Sequence, residues 1–176
     1  MTDWGGRKCG LKLNLGCGGK YMPGYVNIDK VAWGSRDPDI IADVLNLDMY
    51  ADGVVDHIHA YGLLEHVPPW NTVRALREWF RVLRPGGTIH LEAPDLERIF
   101  ESWFVRGDLS EQLAINYIFG GNKMPNKVYP DQHHLTGFTL SRLASMMSQA
   151  GFADIRRVEG KMHWALAVDA HKEARA

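Results

Sequence analysis

The chain lacks several features that mark whole classes of protein. It has two cysteines, Cys9 and Cys17, too few for a disulfide framework or for a zinc site built from thiolates alone. No apolar run approaches the roughly 18 residues of a transmembrane helix, and the opening MTDWGGRKCG lacks the apolar segment of a signal peptide. A net charge of −1, from 20 basic and 21 acidic residues, gives no general attraction to nucleic acid or anionic lipid. We therefore expect a cytoplasmic location and no membrane partner, and a nucleic-acid partner is disfavoured.

Two motifs that bind phosphates are also missing. A GxGxxG fingerprint counted from Gly16 continues to Gly18 but then meets Tyr21 in place of the third glycine. No GxxxxGK[ST] loop occurs anywhere in the chain. The length of 176 residues, 45% of them hydrophobic, predicts one globular domain over residues 11–172, preceded by a flexible arm over residues 1–10.

The stretch from Leu11 to Asp29, LKLNLGCGGKYMPGYVNID, organises the rest of the chain. Its alternating leucines predict a buried strand, and the glycines that follow allow a tight turn whose backbone comes close to a ligand. Asp29 ends the second strand of the stretch. In doubly wound α/β folds an acid at that place can accept hydrogen bonds from ribose hydroxyls, which indicates a nucleoside ligand. A short GxG turn suits a nucleoside that carries an amino acid moiety and no phosphates.

On the residues LNLGCG…GYVNID, and on RVLRPGGTIHLEAPD further along, the chain resembles the class I S-adenosylmethionine-dependent methyltransferases, in particular a small bacterial type. The resemblance implies a methyltransferase with an α/β, Rossmann-like fold: a seven-strand, mostly parallel sheet with an antiparallel edge strand in a three-layer sandwich. It implies S-adenosylmethionine as the cofactor, its methionine part cradled by the glycine turn and its ribose held by Asp29.

The same resemblance implies further cofactor contacts. Asp43 follows the short strand Ile40 to Ile41, where the family places an acid that accepts from the adenine amine, beside an apolar residue that packs on the ring. For Asp43 a turn or helix-cap role is the alternative, and for Cys17 the alternative is simple packing. The segment YGLLEH resembles the family's motif at the end of the fourth strand. The predicted cofactor-binding residues are Leu15, Gly16, Cys17, Gly18, Asp29, Asp43, Val44, Leu45, Tyr61, Leu63, Glu65 and His66.

Local patterns predict the remaining elements. Only nine residues separate Leu15 from Tyr25, so the first helix must be abbreviated or replaced by a turn. A helix begins at the two prolines 68 and 69 and carries an apolar face that extends to Leu83. Two amphipathic helices lie in an insertion over residues 96–138, which either lines a substrate pocket or covers the sheet. A helix ending at Gly151 and a closing pair of strands complete the chain.

Methyl transfer from a sulfonium depends mainly on orientation, so a base is needed only if the acceptor is protonated at neutral pH. We expect His133 or His134 to be that base, with His66 as a further candidate; a loop anchor or a capping histidine is the structural alternative. Asp131 beside the histidine pair could suggest a metal site. However, adjacent histidines on an extended chain point to opposite sides, so we expect no metal there.

The acceptor is the least constrained part of the prediction. Aromatic residues of the insertion, Trp103, Phe104, Tyr117 and Phe119, could form flat apolar walls beside the polar loop that carries Tyr129. This combination favours O-methylation of a small hydroxylated molecule such as a sugar or metabolite. RNA stays an alternative acceptor because of a local basic patch formed by Lys123, Lys127, Arg156 and Arg157. Two other functions remain: a nicotinamide-dependent oxidoreductase, and a cofactor-binding or assembly module of the same fold without turnover.

Overall fold

A seven-stranded sheet forms the centre of the molecule in the computed structural model, which describes residues 10–32, 37–120 and 133–174. The strand order across the sheet is β3-β2-β1-β4-β5-β7-β6. The strands are β1 Lys12–Leu15, β2 Val26–Asp29, β3 Ile40–Ile41, β4 Val55–Tyr61, β5 Leu83–Pro94, β6 Ala153–Val158 and β7 Ala165–His171.

The first five strands pair in parallel, and β7 runs antiparallel between β5 and β6. The predicted α/β class and its mostly parallel sheet are confirmed. The antiparallel strand lies one place inside the edge, because the last hairpin turns β7 back between β5 and β6. The carboxyl ends of β1, β2, β3 and β4 therefore meet along one edge, where ligands bind in such sheets.

The helices follow the predicted order. They are α1 Thr72–Val82, preceded by a 3-10 turn Pro69–Asn71; α2 Leu96–Phe100, continued by a π-helical turn Glu101–Arg106; α3 Glu111–Phe119; and α4 Leu140–Ala150. One detail was wrong: Leu83 is extended and begins β5, where it pairs with Val55, so the helical face stops one residue earlier. None of the described helices is long and apolar enough to cross a membrane.

The main core lies between one face of the sheet and helices α1 and α4. Leu13 and Ile58 of the sheet and Trp79 and Met147 of the helices are fully buried in it. A smaller cluster joins α2 and α3 to Trp164, the residue before β7. Residues 1–9 of the predicted arm and residues 121–132 of the insertion lie outside the described residues.

A turn replaces the first helix, as the short spacing predicts. Two buried asparagines hold it: Asn14 Nδ2 donates to Asn27 Oδ1 at 2.8 Å and to the Lys20 carbonyl at 3.0 Å. Asn27 Oδ1 also accepts from the backbone N–H of Met22 at 2.7 Å, and its Nδ2 donates to the Tyr25 carbonyl at 3.0 Å. Side-chain amides thus satisfy backbone groups that a helix would otherwise pair internally.

The other face of the sheet is polar along β4, β5 and β7. His57 and His59 alternate with core residues on β4, as do His90 on β5 and Asp169 on β7. We call this surface the polar sheet face. Thr88 and Asp169 are exposed on it, so solvent reaches this part of the sheet.

Candidate active site

A cavity of about 510 Å³ lies at the carboxyl ends of β1, β2 and β4. All the predicted cofactor residues line it except Leu15 and Glu65, both of which are buried. Sequence reasoning missed several neighbours of the motifs, whose only signal is their adjacency to the predicted residues. The missed lining residues are Gly19, Lys20, Lys30, Ala42, Gly62, Val67 and Pro68.

The glycine turn forms one wall of the cavity. Gly16 and Gly18 have φ angles of +60° and +51°, in the left-handed region that glycine favours. A Cβ on Gly16 would lie 2.6 Å from Leu63 Cδ1, so a side chain there would collide with the segment that follows β4. Cys17 is buried, and burial together with the charge of Asp29 raises the pKa of its thiol to about 11. The thiol is therefore protonated and unsuited to act as a nucleophile.

Asp29 joins the turn to the end of β2. Its Oδ2 accepts from the backbone N–H of Gly18 at 2.8 Å, and its Oδ1 accepts from that of Val31 at 3.1 Å. The side chain is 7% exposed and borders the cavity. Asp29 thus fixes the backbone of the turn and presents a carboxylate to any ligand lying on it.

The loop after β3 forms the opposite wall. Asp43 is exposed, and its Oδ1 accepts from the backbone N–H of Leu45 at 2.9 Å, which is the turn role named as its alternative. Helix α1 holds this loop from behind. Trp79 Nε1 donates to the Val44 carbonyl at 3.0 Å, and Glu78 Oε1 accepts from the N–H of Leu47 at 2.7 Å. The sequence shows these anchors only as ordinary members of an amphipathic helix.

Of the three candidate bases, His66 is the one that lines the cavity. Its Nδ1 lies 3.1 Å from the His133 carbonyl. Since a carbonyl only accepts, Nδ1 carries the proton and Nε2 holds the lone pair of the neutral ring. His134 packs edge-on against His66 with ring centroids 5.0 Å apart, and its own Nδ1 donates to the Tyr117 carbonyl at 3.1 Å. The structure brings the three histidines together, although 67 residues separate His66 from His133.

Glu65 lies behind His66 and supports the same segment. Its carbonyl accepts from the backbone N–H of Leu135 at 2.7 Å. Its Oε1 lies 4.0 Å from His134 Nε2, and its buried Oε2 has no hydrogen-bond partner. Burial raises the pKa of this carboxyl to about 8, so it is mostly protonated at neutral pH. Asp131 and Tyr129 of the same loop lie outside the described residues.

A model of the methyltransferase domain family matches residues 27–91, from the second strand through most of the fifth. An S-adenosylmethionine-dependent methyltransferase from Archaeoglobus fulgidus superposes with a TM-score of 0.63 at 12% identity, over 94% of this chain and 87% of that one. Another from Methanosarcina mazei gives 0.62 at 17% identity, over 93% and 92%. The 1,6-didemethyltoxoflavin-N1-methyltransferase of Burkholderia thailandensis, solved with S-adenosylhomocysteine bound, gives 0.58 at 18% identity, over 93% and 71%. None of the curated proteins matches the chain in sequence.

The chain has the fold of the class I methyltransferases, and over residues 27–91 it matches the methyltransferase domain family. The predicted enzyme class, and with it S-adenosylmethionine as the cofactor of that class, is confirmed. The family match includes Asp29, Asp43 and His66 but begins after the glycine turn. The missing third glycine disfavours a nicotinamide-dependent oxidoreductase.

Proposed function

We propose that this methyltransferase O-methylates a small hydroxylated molecule, such as a sugar or metabolite, with His66 as the general base. The observation that carries the proposal is the fixed tautomer of His66 at the cavity wall. Its Nδ1 is held at 3.1 Å from the His133 carbonyl, so the lone pair of the neutral ring lies on Nε2. The cytoplasmic location expected from the sequence is part of the same proposal.

The cavity residues suit S-adenosylmethionine in one orientation. Gly16 and Gly18 have positive φ angles and line the cavity with backbone alone, which lets a ligand approach closely and suits the methionine part. The carboxylate of Asp29 suits ribose hydroxyls, and Asp43 with Val44 suits the edge and face of adenine. Lys20 also lines the cavity and offers a cation to the carboxylate of the methionine part.

When bound, the cofactor supplies a methyl group on a sulfonium that is already activated for displacement. The residues of the chain then have two tasks. The walls hold the acceptor oxygen in line with the methyl carbon, since oriented proximity contributes up to about 7 to 11 kcal/mol. His66 Nε2 accepts the hydroxyl proton as the acceptor oxygen forms its new bond. A positioned base of this kind contributes about 10² to 10⁴ in rate.

His133 and His134 have supporting places around this base. His133 is exposed and holds His66 through its backbone carbonyl, which no side-chain substitution removes. His134 is half-buried behind His66, and burial lowers its pKa, so it stays neutral beside the protonated Glu65. This arrangement favours His66 over the two histidines that the sequence suggested first.

A methyl-donor turnover assay on sugars, nucleotide sugars, phenols, peptides and RNA tests the proposal. We expect turnover with a hydroxylated small molecule, reduced at least 100-fold in His66→Gln while binding of S-adenosylhomocysteine is retained. His133→Ala is the matched control and should keep its rate because the carbonyl remains. Turnover confined to peptide or RNA contradicts the acceptor class. Equal rates in His66→Gln and the parent chain would mean that His66 is not a general base and that catalysis depends on orientation of the acceptor alone.

A further inference from the structure

The polar sheet face brings together side chains that are far apart in sequence. Asn14, His59, His90 and Asp169 are consecutive register partners across β1, β4, β5 and β7. Their side chains form one row across the sheet, on the face opposite the helical core. Glu92 lies two residues beyond His90 on the same face, so an imidazole pair and a carboxylate converge next to a solvent-accessible surface.

The distances within this group fit a metal site. One ligand atom from each of His59, His90 and Glu92 lies within 4.8 Å of the others, and His90 Nε2 is 3.1 Å from Glu92 Oε1. His59 is 7% exposed, and its buried Nδ1 has no hydrogen-bond partner. Two imidazoles with one carboxylate form a ligand set that suits zinc and other late divalent transition metals, with a further position left for water.

Further residues hold His90 and Glu92 in place. Asp169 Oδ1 lies 2.6 Å from His90 Nδ1, which directs the Nε2 of the same ring toward Glu92. A carboxylate on the distal nitrogen of a metal-binding histidine fixes the ring and makes it a better donor. Glu92 is fixed in the same way, because its Oε2 accepts from the backbone N–H of Lys161 at 2.9 Å. His90 and Glu92 are therefore oriented toward each other before any ion binds.

Within the described residues, a second group of possible ligands consists of Glu65, His66 and His134 at the active-site cavity. It is the weaker candidate, because Glu65 is largely protonated at neutral pH and the Nδ1 atoms of the two histidines lie against backbone carbonyls. The register that joins His59 to His90 is not visible in the sequence, where only the loop histidines suggest a metal site.

We propose that His59, His90 and Glu92 bind a divalent transition metal, with Zn²⁺ the best fit, and that Asp169 supports the site through His90. The ion joins β4 to β5 and, through the Lys161 contact of Glu92, to the segment before β7. It would stabilise a sheet face on which polar side chains stand in place of an apolar layer. This inference depends on the strand register and the side-chain distances, and it does not depend on the proposed methylation reaction.

Calorimetric titration of the untagged, chelator-treated full chain with ZnCl₂ tests this site, and Co²⁺ absorption gives a second, spectroscopic readout. We expect one ion per chain, with affinity at least tenfold weaker in His90→Gln and Glu92→Gln. The exposed Asp169→Asn change should weaken binding by about 10-fold to 100-fold without unfolding the chain. Because Asp169 is exposed, this variant still tests the site if a variant of a buried ligand residue fails to fold.

Two controls locate the ion. His57→Gln changes another histidine of the same face, one that contacts Thr88 Oγ1 at 2.8 Å and is outside the proposed ligand set, and should bind Zn²⁺ normally. His66→Gln changes the second group and should also bind normally. Absence of stoichiometric binding, binding unaffected by both His90→Gln and Asp169→Asn, or binding lost in His66→Gln would each overturn the assignment.

Discussion

At the residue scale, Asp29 has two roles that a single substitution can separate. Its carboxylate accepts from Gly18 and Val31 and also borders the cavity. Asp29→Asn keeps the size and one acceptor for the turn but removes the charge that ribose hydroxyls would meet. We expect S-adenosylhomocysteine affinity, measured by calorimetry, to fall about 10-fold to 100-fold, since hydrogen bonds to charged groups contribute about 1.5 to 3 kcal/mol.

Asp48→Asn is the control for this change, because Asp48 is exposed and does not line the cavity. Its affinity should equal that of the parent chain. A folded Asp29→Asn protein that binds the cofactor product as tightly as the parent would contradict the ribose assignment.

Gly16 combines a left-handed backbone with a collision, and a second glycine isolates the two effects. Gly16 and Gly24 have φ angles of +60° and +83°, but a Cβ would meet Leu63 only at Gly16, while nothing lies within 4 Å at Gly24. We expect Gly24→Ala to lower stability by about 1 kcal/mol through backbone strain alone. Gly16→Ala should lower stability further and weaken S-adenosylhomocysteine binding, as measured by chemical denaturation and calorimetry. Equal losses in the two variants would show that the Leu63 contact is unimportant.

Glu65 makes stability depend on pH in a direction that is unusual for a carboxylate. Its pKa is raised from 4.5 to about 8 in the folded protein by burial, so the native state keeps a proton that the unfolded chain releases. Its contribution to stability is therefore fully present below about pH 4.5 and is lost as the pH rises toward about 8. Glu65→Gln removes this proton.

We expect thermal unfolding to show Glu65→Gln gaining stability relative to the parent chain at pH 8 compared with pH 5. The exposed Glu159→Gln should show no such difference between the two pH values. A parent chain and Glu65→Gln with parallel stability curves across this range would mean that Glu65 is ionised when folded.

At the element scale, a pair of asparagines takes the place of a helix. Asn27 joins Asn14, Met22 and Tyr25, so Asn27→Ala leaves several buried polar groups without partners. Because each unsatisfied group costs about 1 to 3 kcal/mol, we expect chemical denaturation to show a loss of at least about 3 kcal/mol. Asn46→Ala removes only one contact, the 3.1 Å bond to the N–H of Asp48 on an exposed loop, and should change stability little. Similar small losses in both would show that the amide network does not hold the turn.

Patterns that are local in sequence predicted the elements well. The alternating leucines, the glycine turn and the short first connection all depend on neighbouring residues, and the structure has each of them. Leu83 shows where such reasoning stops. Its apolar side chain continues the helical spacing of α1, but pairing with Val55 draws it into β5, and that pairing depends on a strand 28 residues earlier.

The candidate site also contains some residues that local sequence predicts and some contacts that it does not. Motif residues such as Gly16 and Asp29 line the cavity because short connections fix them at strand ends. The approach of His134 to His66, the burial of Glu65 and the row from His59 to Asp169 depend instead on how distant segments pack. No periodicity in the chain reports those distances, so the tautomer of His66 and the ligand group on the sheet emerge only from the fold.

At the scale of the whole molecule, the cavity is built from β1, β2, the loop after β3 and the end of β4, so a ligand bound there links most of the sheet's carboxyl edge. A ligand that binds only the folded chain stabilises it by about 2.7 kcal/mol when present at 100 times its Kd. For a chain of this size each kcal/mol raises Tm by about 2 to 4 °C. S-adenosylhomocysteine at that concentration should therefore raise Tm by about 5 to 10 °C in differential scanning calorimetry.

The same calorimetric experiment separates the methyltransferase from the oxidoreductase alternative. NADH should leave Tm unchanged, because the turn that begins at Gly16 carries Tyr21 where a pyrophosphate site needs its third glycine. S-adenosylhomocysteine should raise the Tm of Asp29→Asn less than that of the parent chain, since weaker binding gives less stabilisation at a fixed ligand concentration. A larger shift with NADH than with S-adenosylhomocysteine would mean that the cavity holds a dinucleotide, and the assignment of the glycine turn to a phosphate-free cofactor would then be wrong.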